Sequence, residues 1–230
     1  MIRVLAFDAD DTLWENEPLF REAEAAWAGV LRDYGTLESL SAALYAVESS
    51  NMAELGYGTK AFIISLLETA IQVSGGNLTA AQTSEIIRIG RRILQNPAVP
   101  LPGVEETLST LHGRFRMVLL TKGDALEQRH KVERSGLARY FDLVDIVPQK
   151  TVREYFELCR RLDIGPDELL MVGNSFKSDI APVLELGGAG IYIPFRVTWE
   201  HEKTEEYEHP RLRKAAEFKD IIDILANELP

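Results

Sequence analysis

Hydrophobic and polar residues change rhythm twice along this chain. Ile2 to Phe7 is a short apolar run with β-branched and aromatic residues, stopped by Asp8. Such a run predicts a buried strand. From Trp14 to Gln95 no strand pattern appears, and apolar residues recur at helical spacing. Ala23, Ala26, Trp27 and Val30 form one such set. Ile63, Leu66, Leu67, Ala70 and Ile71 form a second, and Ile86, Ile87, Ile89, Ile93 and Leu94 a third. Breaks near Gly35, Gly56-Tyr57-Gly58 and Gly75-Gly76-Asn77 divide this stretch into about four helices, with Thr59 and Thr79 as candidate caps.

The second change follows Asn96 to Gly103, a stiff segment containing Pro97, Pro100 and Pro102. Beyond it, strands are expected at 115–120, 143–147, 169–172 and 190–193. Helices are expected at 104–111, 124–135, 152–162, 180–186 and 218–226. Alternation of this kind implies right-handed βαβ units and a mainly parallel sheet. The helical stretch between the first two strands is too long for a simple crossover. The expected fold is therefore α/β: a doubly wound, Rossmann-like, mostly parallel sheet formed by residues 1–14 and 96–230, with residues 15–95 as an inserted all-helical domain.

Composition narrows the classes. At 230 residues the chain can bury a sizeable core, and its 46% hydrophobic and 27% charged content is that of an ordinary globule. A net charge of -11 argues against nucleic-acid polymers or an anionic membrane surface as partners. It leaves small anionic substrates open, because a cation can reverse the field locally. The one cysteine, Cys159, excludes a disulfide framework and reads as a small buried hydrophobe on a helix. No basic segment followed by a long apolar one, and no run of about 18 apolar residues, is visible, so a cytoplasmic location is expected.

A parallel sheet gathers the carboxyl ends of its strands along one edge. Here those ends carry Asp8 and Asp10; Thr121 with Lys122; Lys150; and Asn174 with Ser175, Ser178 and Asp179. The set suits phosphoryl transfer. A dianionic phosphomonoester repels a bare carboxylate nucleophile, and a hard divalent cation offsets that repulsion. A lysine and a hydroxyl can hold phosphoryl oxygens. A second carboxylate can protonate the leaving alcohol and later activate water.

Over essentially its whole length the chain resembles the haloacid dehalogenase-like hydrolase superfamily. Asp8-Ala9-Asp10-Asp11-Thr12-Leu13 is similar to its first motif, and Leu120-Thr121-Lys122-Gly123 to the second. Lys150 within Pro148-Gln149-Lys150-Thr151 resembles the third, and Gly173-Asn174-Ser175-Phe176-Lys177-Ser178-Asp179 the fourth. The helical insertion resembles the C1 cap of subclass I. The resemblance implies Asp8 as nucleophile and Asp10 as general acid/base. It implies that Thr121, Lys122 and Lys150 bind phosphate, and that Asp8, Asp10 (through its carbonyl), Asn174 and Asp179 hold Mg²⁺. Asn174 departs from the usual Asp, removing one negative charge from the cation site. Lys150-Thr151 departs from the common Lys-Pro.

Retention of Asp10 favours phosphate-ester hydrolysis over dehalogenation. The expected function is a Mg²⁺-dependent phosphatase acting on a small phosphorylated metabolite, as monomer or homodimer. A phosphomutase of the same fold, or a catalytically weak metal- or phosphate-binding protein, are the alternatives. Tyr57 and Lys60 are candidates for touching substrate. Trp14 and Trp27 read as packing, His201 as a surface-loop residue, and Glu202 to Glu208 as a solvated run.

Overall fold

The computed structural model describes residues 1–227, which divide into two compact units. The first comprises Met1–Glu17, Ala98–Lys122 and Gln128 onward; the second comprises Pro18–Pro97 together with Gly123–Glu127. The short second piece of the helical unit had no sequence signal.

In the first unit, six parallel strands lie in the order β3-β2-β1-β4-β5-β6. They are β1 (Val4–Phe7), β2 (Arg116–Lys122), β3 (Leu143–Val147), β4 (Leu169–Gly173), β5 (Ala189–Tyr192) and β6 (Leu212–Lys214). The sheet is thus α/β and Rossmann-like, as expected from the alternation. β1 lies between β2 and β4, with Phe7 level with Leu119 and Val172, so four consecutive buried residues carry the chain to Asp8 at the sheet's carboxyl edge.

Both sheet faces are covered, which explains why its central strands read as unbroken apolar runs. Leu5, Phe7, Met117, Leu119, Leu170 and Val172 pack with α5 (Val104–Leu111) and α9 (Asp220–Asn227). Val4, Ala6, Val118, Leu120, Leu169 and Met171 pack on the other face with α7 (Val152–Leu162) and α8 (Ala181–Leu186). Cys159 belongs to that second cluster, where burial pushes its thiol up to about 11. β6 escaped the sequence reading because three residues, Leu212 to Lys214, are too few to show alternation.

The helical unit is built from α1 (Glu17–Val30), α2 (Leu37–Leu55), α3 (Thr59–Val73) and α4 (Ala80–Ile93). Their apolar stripes meet in one cluster around Trp27, Leu31, Leu40, Leu44, Leu66 and Ile86. The Trp27 indole donates to the Leu66 carbonyl at 3.1 Å, so its bulk and its one polar atom are both accommodated. Thr79 caps α4 through a reciprocal pair of bonds with Gln82. Thr59 is not the cap of α3; Gly58 holds that position. Thr59 is the first helical residue, and its N–H and hydroxyl both donate to the Glu127 carboxylate.

Candidate active site

The turn after β1 sets two carboxylates on different courses. Asp8 still follows the sheet, its N–H donating to the Val172 carbonyl at 2.9 Å. Asp11 then adopts a left-handed conformation, φ 62°, which costs a non-glycine residue roughly 1 kcal/mol. Its carboxylate recovers part of that cost by accepting from the N–H groups of Asn16 (2.8 Å) and Glu17 (3.0 Å), which start α1. Burial pushes the Asp11 carboxyl up to about 8, with the Asn16 bond opposing.

Asp8, Lys150 and Asp179 form one buried cluster. Lys150 ion-pairs with Asp8 Oδ1 and donates to Asp179 Oδ1 at 2.7 Å, its side chain 1% exposed. Burial alone would lower the lysine, but the Asp179 and Asp8 charges raise it above its ordinary value. Burial pushes Asp8 up to about 7, with Lys150 opposing and the Asp179 charge reinforcing. Asp179 Oδ2 accepts from the Ser175 N–H at 2.9 Å. A Cβ on Gly173 would stand 2.2 Å from that same oxygen, so the strand must end in glycine for Asp179 to fold back.

Thr12 and Asn174 close the other side of Asp8. The Thr12 hydroxyl donates to Asp8 Oδ2 at 3.1 Å and accepts from the Asn174 N–H at 3.1 Å. With its amide turned so that NH₂ faces acceptors, Asn174 donates to Thr12 Oγ1 (3.1 Å), Asp8 Oδ2 (3.2 Å) and the Asp10 carbonyl (3.2 Å).

This arrangement bears on Mg²⁺. Among the described residues no three carboxylate, imidazole or thiol side chains gather to hold a metal. The convergent oxygens are instead Asp8 Oδ2 and the Asp10 carbonyl, both within 3.2 Å of the Asn174 amide nitrogen. A half-turn of that amide presents its own oxygen. Such a set, completed by water, fits a hard cation. Asp179 has both oxygens engaged, by Lys150 and Ser175, and so fits a role through water better than a direct one.

Asp10 sits among different partners. Its Oδ1 accepts from the Trp14 indole (2.8 Å) and Lys131 (3.0 Å); its Oδ2 accepts from Lys131 (3.0 Å) and Gln128 (3.1 Å). Gln128 and Lys131 lie on α6 (Ala125–Ser135). Gln128 also donates to Thr121 Oγ1 at 2.7 Å, tying Thr121 to Asp10. Lys122 takes another course. It ion-pairs with Glu202, donates to Ser178 Oγ at 3.0 Å and lies 5.9 Å from the Trp199 ring. In this structure its charge is paired with a carboxylate. Glu202 corrects the expected solvated run: its side chain is 12% exposed and accepts from Lys122, Ser175 and Ser178. Within the helical unit, Lys60 pairs with Asp124 at 2.7 Å, and Tyr57 lies in the turn between α2 and α3.

Sequence reasoning missed Gln128, Lys131 and Glu202. The only available signal was the i, i+3 spacing of Gln128 and Lys131 on the helix that leaves Thr121. Trp14 is fully buried, in keeping with a packing role, and it also donates to Asp10.

A parallel sheet with acidic and basic groups paired along its carboxyl edge places the chain in the α/β class of proteins that carry their chemistry at strand ends. The profile of the haloacid dehalogenase-like hydrolases matches residues 2–187, and the chain belongs to that family. It is 26% identical over 204 residues, 86% of this chain and 88% of the relative, to a glyceraldehyde 3-phosphate phosphatase of Methanothermobacter thermautotrophicus. It is 31% identical over 100 residues, 41% of this chain and 44% of the relative, to a pyrimidine 5'-nucleotidase of Escherichia coli. Its structure is similar to that of a haloacid dehalogenase-like hydrolase from Xanthomonas campestris, with a TM-score of 0.89 and 34% identity over 98% of this chain and 91% of the other. The chain is therefore an enzyme of this hydrolase family, and the phosphoric monoester class expected from Asp10 is the one these curated relatives carry. Among the described residues no helix is long and apolar enough to cross a membrane.

Proposed function

We propose that this hydrolase cleaves a small phosphomonoester through an aspartyl-phosphate on Asp8, with Mg²⁺ as cofactor. The observation that carries the reading is the cluster in which Lys150 holds Asp8 at the end of the central strand while the Asp8 Oδ2 side remains lined by Thr12 and Asn174.

The reaction follows from these groups. An Asp8 oxygen attacks phosphorus, the bond from phosphorus to the ester oxygen breaks, and Asp10 gives that oxygen a proton. A water then attacks the phosphorus of the aspartyl-phosphate, giving its proton to Asp10. Inorganic phosphate leaves and the Asp8 carboxylate is restored. Thr121 and Lys150 supply the donors for phosphoryl oxygens, whose charge grows at the transition state. Asp8, the Asp10 carbonyl and Asn174 would hold Mg²⁺, with Asp179 behind a water; the ion supplies positive charge against the phosphoryl oxygens.

The relatives suggest triose phosphates and pyrimidine nucleotides as the substrate classes to try first. The experiment is phosphate release from p-nitrophenyl phosphate, glyceraldehyde 3-phosphate, nucleoside monophosphates, sugar phosphates and flavin mononucleotide, with Mg²⁺ and with EDTA. Turnover that disappears in Asp8→Asn supports the reading. Turnover equal in wild type and Asp8→Asn overturns it.

A further inference from the structure

We propose that Lys131 and Gln128 of α6 are positioning residues for Asp10, fixing the acid/base carboxylate and linking it to Thr121. The inference rests on the acid/base reading of Asp10 given above. Both oxygens of Asp10 are held, by Trp14 and Lys131 on one and by Lys131 and Gln128 on the other, at 2.8–3.1 Å. A carboxylate held on both oxygens rotates only if charge-assisted bonds break, and it takes up or gives its proton at an oxygen that one of these donors has released. The backbone here is set by the bridge between Asp10 and Trp14 and by the Asp11 N–H donating to the Trp14 carbonyl at 2.7 Å, so what these side-chain donors add is control of the carboxylate's rotation.

The donors are themselves immobilised. Lys131 and Gln128 are each 2% exposed, and Trp14 is fully buried. Lys131 spends a further bond on Asn16 Oδ1 at 2.7 Å, which ties the ammonium to the segment entering α1. Burying a lysine costs several kcal/mol unless a paired charge and further acceptors meet it. Asp10 and Asn16 do so here, so the ammonium is poised on Asp10.

At Gln128 geometry outweighs packing as well. Its amide NH₂ lies within bonding distance of Asp10 Oδ2, Thr121 Oγ1 (2.7 Å) and the Lys122 carbonyl (3.1 Å), while its Oε1 is buried without a hydrogen-bond partner. An orphaned buried acceptor is destabilising. A leucine or methionine would fill the space without that cost, but could not bridge Asp10 to the hydroxyl of Thr121. The bridge fixes the group that serves the leaving oxygen relative to one that serves the phosphoryl oxygens. Small errors in that spacing are expensive for the reaction.

The test exploits the leaving group. Nitrophenolate departs without protonation, whereas the alkoxide of sn-glycerol 3-phosphate needs a proton. The ratio of kcat/KM for the two esters, measured on one preparation with Mg²⁺, is independent of the fraction of folded enzyme. Asp10→Asn is expected to lower the alkyl-to-aryl ratio by about 10²-fold. Lys131→Met should lower it by about tenfold, and Gln128→Met in the same direction by less. On p-nitrophenyl phosphate, Lys131→Met should keep kcat/KM while kcat and KM fall together, because water attack on the phospho-enzyme still needs a placed base. Equal losses on both esters, or none, in Lys131→Met and Gln128→Met while Asp10→Asn shifts the ratio would overturn the assignment alone. An unmoved ratio in Asp10→Asn would overturn the role of Asp10 and this assignment with it.

Discussion

Asp8 and Asp10 stand two residues apart and each faces a buried lysine, yet the two neighbourhoods are built differently. Lys150 is shared between Asp8 and a second carboxylate, Asp179, and both lysine and Asp179 side chains are 1% exposed. Lys131 serves Asp10, whose side chain keeps 23% exposure, and it also donates to the neutral Asn16. In the first neighbourhood two negative charges are packed around one positive charge, and burial and mutual repulsion lift Asp8 to about 7. Any added positive charge is welcome there. In the second neighbourhood one ammonium meets the Asp10 carboxylate directly, the Asp11 and Asp8 carboxyls feel the Asp10 charge, and four donated bonds set its orientation. One site is built to receive a charge, the other to hold a direction.

The sharpest way to break this contrast is Lys150→Met. It leaves two uncompensated buried carboxylates, and is expected to cost about 3–5 kcal/mol of stability by urea unfolding in EDTA and to abolish turnover. Lys131→Met leaves only the partly exposed Asp10 unpaired, so a cost of about 1–2 kcal/mol is expected by the same measurement. Equal costs for the two would show that the neighbourhoods are not different in kind. Asn174→Asp removes three donated bonds and adds a carboxylate beside Asp8. It should lower metal-free stability by about 1 kcal/mol and tighten Mg²⁺ binding by about tenfold in calorimetry. Tighter binding without the loss of metal-free stability would show that the amide does not stand in for positive charge.

The smallest effect concerns the third pair, Lys122 and Glu202. Burial alone would raise Glu202, but Lys122 and the hydroxyls of Ser175 and Ser178 hold it below its ordinary value. Its contribution is therefore present above the unfolded carboxylate value of 4.5 and is lost as pH falls through the lower folded value. Wild type should lose about 1 kcal/mol more stability than Glu202→Gln between pH 6 and pH 3. Parallel pH curves would mean that Glu202 carries no net stabilisation.

Legibility followed sequence distance. The termini of β3 and α7 stand where the apolar rhythm placed them, at 143–147 and 152–162. Asp8 stood out because it ends an apolar run and Thr121 because it follows one directly, while Lys150 and Asp179 follow such runs within a few residues; all of these are local signals. Lys131 and Glu202 did not stand out. A lysine in a polar helix and a glutamate in an acidic run read as solvated, and their partners lie 121 and 80 positions away. The misreading of Thr59 as a cap has the same origin, since its partner Glu127 is 68 positions distant.

By itself the sequence determined the alternation of elements, the parallel sheet, the helical insertion and the row of chemical groups at the strand ends. These follow from periodicity and from residue types at element boundaries, both short-range properties of the chain. Only the tertiary structure decided how the charges pair: Lys150 with Asp8 and Asp179, Lys131 with Asp10, Lys122 with Glu202. Ion pairing depends on which side chains are brought within a few ångströms and shielded from water together, and one-dimensional spacing holds no record of that.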